Sequence, residues 1–276
     1  MFLDDSEITQ INDSATDSRF YIHNDQPDMR YPSVSKLKDA YNHKGIEAIR
    51  AWHQKNVEKM GAEEAEVHRR KGAKSGTKIH EAIETGNLSH LDKKEVTRYN
   101  NIQRVVKQIE LPLQEKKILW VDPNDISVGF GGTFDAVAIM DKSKFSDEQD
   151  APIGTNASNV ILDWKNVKTF YSLDFYIGYY LQAAAYSAGF NRATNKQYAI
   201  CESLIVFTTA RTLKLVYLDQ RCLMWYWQNF REIARCYAYK EEFDYEAFKA
   251  HSQGYLTEDG TIEDYLPKQV YLNDSR

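Results

Sequence analysis

Cysteine is scarce: three in 276 residues, Cys201, Cys222 and Cys236, all in the last third of the chain. An odd count without short spacing excludes a disulfide framework or a four-cysteine zinc site and fits a reducing compartment. Excess positive charge is also missing. The net charge of -5 argues against a protein that coats or bends nucleic acid, where phosphate neutralisation supplies most of the affinity. It leaves room for a nuclease, whose metal-binding carboxylates lower the total while local basic patches hold the strand. No apolar run is long enough to span a bilayer. The start, MFLDDSEITQ, has neither a basic n-region nor an apolar h-region, so the expectation is a cytoplasmic protein without a membrane partner. No P-loop GxxxxGK[ST] occurs, which excludes a fused nucleotide-driven motor.

What is present suffices for a sizeable core, since 42% of residues are hydrophobic. Residues 1–30 are polar and acidic without sustained periodicity and are expected to be a flexible arm. From Pro32-Ser33-Val34 the pattern turns helical. Leu37 and Tyr41 mark one short helix, and Ile46, Ile49 and Trp52 a second. Ala62 to Thr85 is strongly helix-forming and ends at Gly86. Asp92 and Glu95 then form a capping box for a helix whose core stripe runs from Val96 to Ile109.

After Pro112 the period shortens to that of strands. Lys117–Val121, Val128–Met140 and Val160–Lys165 read as three strands, with Asp141–Asn159 a loosely ordered connection. A helix over Leu173–Phe190, a hairpin of Cys201–Thr208 with Thr212–Leu218, and a helix over Gln220–Glu241 follow. This order predicts an α/β fold with a mixed central β-sheet flanked by helices and a helical N-terminal portion. The expected division is 31–110 helical, 111–241 catalytic core and 242–276 a C-terminal extension.

Four segments carry chemistry. In Gly76-Thr77-Lys78-Ile79-His80-Glu81-Ala82-Ile83-Glu84, His80 and Glu84 share one helix face. Taken alone, they are equally a hydrogen-bonded histidine and a solvated glutamate. In Gly131-Gly132-Thr133-Phe134-Asp135, an aspartate lies inside a strand-like run, where it must be paired, metal-bound or turned to water. In Val160-Ile161-Leu162-Asp163-Trp164-Lys165, three buried aliphatics lead into an acid and a lysine on one face. Such a pair serves phosphodiester hydrolysis: the carboxylate binds a divalent cation, and the ammonium orients or deprotonates water and offsets phosphate charge. The plainer alternative is a strand-end salt bridge. On the next helix Gln182 and Tyr186 lie one turn apart among alanines, and a polar helix edge would explain them too.

The ordered set is more specific than any member. Helical GTxxHxxIE, strand GGTFD, strand ILDWK and helical QxxxY resemble the RecB-like branch of the PD-(D/E)xK nucleases, over about residues 32–240. Pro32-Ser33-Val34, Trp52 and Gly61-Ala62-Glu63-Glu64-Ala65 add a likeness to the mitochondrial genome-maintenance exonuclease group and its phage relatives. Phe134 stands where the family name puts a proline, and Asp163 replaces a glutamate, both common variations in this branch.

The resemblance implies a Mg²⁺- or Mn²⁺-dependent exodeoxyribonuclease acting on single-stranded DNA with a free end. His80, Asp135, Asp163 and the main-chain carbonyl of Asn166 would be metal ligands, and Lys165 the catalytic lysine. Glu84 would support His80 or a metal-bound water, while Gln182 and Tyr186 would orient Lys165 or hold a phosphate. Some relatives carry a four-cysteine iron–sulfur cluster with one ligand before these motifs. No cysteine precedes Cys201 here, so no cluster is expected. The alternatives are a structure-specific endonuclease with the same site and an inactive DNA-end-binding module. Arg69, Arg70, Lys71, Lys74 and Lys78, an acid-free stretch before His80, would form a phosphate rail, or else a solvated helix face.

Overall fold

The structure, a computed structural model, describes residues 3–13, 18–41, 44–244 and 267–273. Its centre is a seven-stranded mixed sheet with helices on both faces, as the element order predicts. The strands are β4 (Ile109–Asp122), β5 (Asp125–Asp141), β6 (Phe145–Ser146), β7 (Ala157–Asn166), β8 (Glu202–Thr208), β9 (Leu213–Leu218) and β10 (Lys268–Leu272). They lie in the order β4-β5-β7-β8-β9-β10-β6. Only β7 and β8 run parallel, joined by the crossover helix α5 (Ile177–Ala193); every other pairing is antiparallel.

Strand alternation sorts the sheet's side chains into two cores. On β7, Val160, Leu162 and Trp164 enter the core shared with α3 (Ala62–Thr85) and α4 (Lys93–Val106). Ile161 enters the opposite core, shared with α1 (Val34–Ala40), α5 and α6 (Gln220–Tyr239). Asp163 and Lys165 have Ile161's parity, so strand period alone aims them at α5. The stack Ala183-Ala184-Ala185 is fully buried, which lets α5 lie close upon the strands.

Several local expectations hold. Asp92 caps α4 in a reciprocal box with Glu95, and Gly86 ends α3 at φ 71°. Others change. Residues 1–30, expected as a flexible arm, contain the hairpin of β1 (Ile8–Asp13) and β2 (Ser18–His23), extended by β3 (Tyr31–Pro32). Its anchor is Tyr21, 1% exposed, whose ring occupies the space that a side chain at Gly131 would need. Ile109 belongs to β4 and not to the preceding helix, which ends at Val106. Pro112 sits within β4 at a register shift between Glu110 and Leu113, where its missing N–H leaves no ladder bond unmade. The connection after β5 is not uniformly loose: β6 within it pairs with β10, a partner distant in sequence. The second helix, α2, spans Lys44–Met60. Among the described residues no helix is long and apolar enough to cross a membrane. All three cysteines are free, Cys201 exposed and the other two buried.

Candidate active site

The site forms where β5 and β7 part. Their ladder ends at the pair Ala136↔Leu162, so Asp135 and Asp163 occupy the next rung, which is unmade. The Trp164 N–H, which would otherwise seek a β5 carbonyl, donates to Asp135 Oδ2 at 2.8 Å. The Asp135 side chain thus substitutes for backbone and holds the opening apart. Alternation also breaks here. Phe134 and Val137 lie in one core, and Ala136 and Ala138 in the other, so the strand changes face across Asp135.

Asp163 is fully buried, and both its oxygens lie close to the Lys165 ammonium, Oδ1 at 2.8 Å and Oδ2 at 2.7 Å. Only Oδ1 is in hydrogen-bonding direction; Oδ2 has no hydrogen-bond donor. Burial raises the Asp163 pKa, Lys165 opposes that rise and Asp135 adds to it, leaving it at about 6. For Lys165 burial acts downward, but Asp163 and then Asp135 outweigh it and hold the ammonium above the ordinary lysine range. Its Nζ also sits 5.0 Å from the centre of the Tyr179 ring, a cation–π contact from α5.

His80 arrives from α3, flanked by Ile79 and Ala82, which pin that helix to the sheet. Its Nδ1 lies 3.5 Å from Asp135 Oδ1 and 3.4 Å from Oε1 of Glu115 on β4. Burial lowers the His80 pKa, but Asp135 and the Glu115 hydrogen bond together carry it above the ordinary value. Glu115 is the residue that sequence reasoning missed. It falls between the pairs Gln114↔Ala136 and Lys116↔Phe134, opposite Asp135, and has φ 48°. Its sequence setting, Gln114-Glu115-Lys116-Lys117, looks like an ordinary solvated stretch and carries no signal.

From α5, Gln182 Nε2 donates to the Tyr186 hydroxyl at 3.0 Å, both side chains being buried. Gly132 on β5 makes room for that ring: a Cβ there would come within 2.6 Å of it. Burial raises the Tyr186 pKa strongly, opposed by Lys165 and reinforced by Asp163 and Asp135, so the hydroxyl remains a hydrogen-bond donor at neutral pH. Asn166, at the end of β7, donates from Nδ2 to Ser75 Oγ of α3 at 3.4 Å, while its Oδ1 is buried and unpartnered. Glu84 lies exposed one turn beyond His80; Glu115 stands beside the imidazole instead.

The basic stretch is divided. Arg69 and Arg70 both bind Glu66, at 2.7 and 2.8 Å, the acid just before the stretch. Their hydrogen bonds hold the Glu66 carboxyl at about 2. Lys78 reaches Glu95 on α4 at 3.5 Å. Lys71 and Lys74 are exposed on α3. Of the aromatics around and after Lys165, Trp164 and Tyr176 are core, whereas Tyr171 is 54% exposed and its ring lies 4.6 Å from that of Phe175.

The residues present fit a hard divalent cation. One atom each of His80, Glu115 and Asp135 can be chosen so that all lie within 4.8 Å of one another. A cation with ligands at about 2.1 Å places neighbouring ligands about 3.0 Å apart and opposite ones about 4.2 Å. No protein-family model matches the chain, and no curated protein matches it in sequence. Among solved structures, the crystal structure of SSO0001 is similar at 12% identity and a TM-score of 0.37, over 82% of this chain and 86% of that one. So distant a likeness bears on no activity.

Proposed function

We propose that the chain is a divalent-metal-dependent deoxyribonuclease of the PD-(D/E)xK type that degrades single-stranded DNA from a free end. The observation that carries this reading is the convergence of four sequence-distant motifs. Asp135, the Asp163–Lys165 pair, His80 and the Gln182–Tyr186 pair meet at one opening in the sheet. Three carboxylates and an imidazole around a single ammonium leave an excess of negative charge that a cation would neutralise. Bound there, Mg²⁺ or Mn²⁺ would supply Lewis-acid charge and a more acidic water.

The chain's own groups would do the rest. Lys165 is held protonated by its two aspartates, so it donates a hydrogen bond and positive charge to the phosphate or the attacking water. It does not begin as the base. Asp163 fixes that ammonium from below. Tyr186, kept protonated by burial and held by Gln182, places a second donor near the Lys165 end of the site. Asp135 keeps the two strands apart while presenting Oδ1 to the opening. A reducing cytoplasm suits the free thiols.

End-labelled linear single-stranded, linear double-stranded and circular single-stranded DNA, each incubated with Mn²⁺ or Mg²⁺ and with a chelator, test the reading. The linear single strand should be consumed only with metal, and the circle should survive. Rapid cutting of closed circles would make the protein an endonuclease; no metal-dependent cleavage of any substrate would overturn the assignment.

A further inference from the structure

We infer that Glu115 is a metal ligand, joining His80 Nδ1 and Asp135 Oδ1 in a three-point site beside Asp163. The inference rests on the metal-dependent reading above but not on the identity of the substrate.

The backbone supplies one reason. Glu115 has φ 48°, a left-handed conformation that side-chain-bearing residues rarely adopt in a strand. A glycine or asparagine would fit it better, yet a glutamate occupies it. Charge supplies another. Glu115 lies opposite Asp135 on adjacent strands, and like charges placed so repel. The imidazole between them, 3.4 and 3.5 Å from the two carboxylates, carries at most one positive charge. The nearby Lys165 ammonium does not relieve them, because it is committed to the fully buried Asp163 at 2.7 Å.

Donor availability narrows the atoms. Asp135 Oδ2 is occupied by the Trp164 N–H, which leaves Oδ1, the oxygen that faces His80. The resulting set is one nitrogen and two carboxylate oxygens, a mixed set that suits Mn²⁺ better than Mg²⁺. Glu84, the other glutamate near His80, is exposed and offers no such convergence.

Calorimetric titration of Mn²⁺ into chelator-stripped, DNA-free protein tests this. Glu115→Gln should weaken Mn²⁺ binding by at least about tenfold, since loss even of a group that only supports a ligand has about that effect. Glu115→Gly removes the carboxylate and relaxes the backbone. It should weaken binding as much while melting, without metal, no lower than the wild type. Unchanged Mn²⁺ affinity and stoichiometry in Glu115→Gln or Glu115→Gly would overturn the inference, as would failure of the wild type to bind Mn²⁺. Wild-type binding that Glu115→Gln weakens, in a protein that cuts no DNA, would instead sustain the inference and overturn the nuclease reading.

Discussion

Replacing Asp163 by asparagine should make the metal-free protein more stable at neutral pH, although it removes half of a buried ion pair. The usual expectation is the reverse, since stripping one partner from a buried pair costs about 3–5 kcal/mol. Here the carboxylate's own desolvation dominates. Asp163 has a folded pKa of about 6 against an ordinary aspartate value of 3.8. A folded pKa above the unfolded one means a stabilising contribution that is fully present below about pH 4 and lost as pH rises through 6. The gap of about two pH units is worth about 3 kcal/mol. Asparagine mimics the protonated acid in shape and charge, so it should recover about that much at pH 7.5. For a chain of this size the gain is an increase of about 5 °C in Tm. The assay is thermal melting of wild type and Asp163→Asn in a chelator from pH 7.5 to 4.5. The difference should be largest at pH 7.5 and shrink through pH 6. Mn²⁺ at a thousand times the wild-type Kd adds about 4.1 kcal/mol to the wild type, so it should reverse the order if Asp163 also contributes to metal affinity and the variant binds the ion much more weakly. A variant that melts several degrees below wild type at pH 7.5, with a gap independent of pH, would refute the reasoning and make the ion pair a net stabiliser.

Other outcomes follow from the same geometry. Asp135→Asn and Lys165→Ala should each lower cleavage by about 100-fold or more while circular dichroism stays native; near-normal turnover by either would remove it from the site. Lys71→Ala with Lys74→Ala should weaken single-stranded DNA binding and reduce its salt slope by up to about 1.4, at about 0.7 per phosphate contact. Arg69→Ala with Arg70→Ala should change that slope less, because Glu66 already neutralises part of their charge. Equal effects of the two double variants in a salt titration would show that the Glu66 contacts give way to DNA.

The features legible in the sequence are those set by short-range chemistry. The Asp92–Glu95 box, the Gly86 cap and the shared face of Asp163 and Lys165 each follow from a few adjacent residues. The α/β order follows from a change of period at about Pro112. What was hidden depends on partners far along the chain. Glu115 gains its meaning only when β4 is laid beside β5, and its conformation leaves no mark on residue type. The N-terminal hairpin escapes because its strands are short and half-exposed, and its anchor, Tyr21, finds its pocket over Gly131. The basic stretch seemed continuous because its acid, Glu66, lies just outside it. Glu84 was the natural neighbour for His80 by helix spacing, but the fold carries β4 to the imidazole and leaves Glu84 in water.

The position of β10 has a consequence for how the molecule is assembled. This strand, the last described in the chain, lies inside the sheet between β9 and β6, and it supplies β6's only neighbour in the sheet order. Phe145 and Ser146 leave the ribosome long before Leu272 and Tyr271, the residues they pair with. Until those arrive, Phe145 and Ser146 have only their local bridge to Pro152 and Ile153, and the edge of β9 stays open to other chains. The sheet can therefore close only after synthesis has passed residue 272, and a premature stop upstream of β10 would detach two strands from it, not one. A ribosome-bound fragment ending before residue 268 should accordingly be more prone to protease attack around Phe145 than the finished chain.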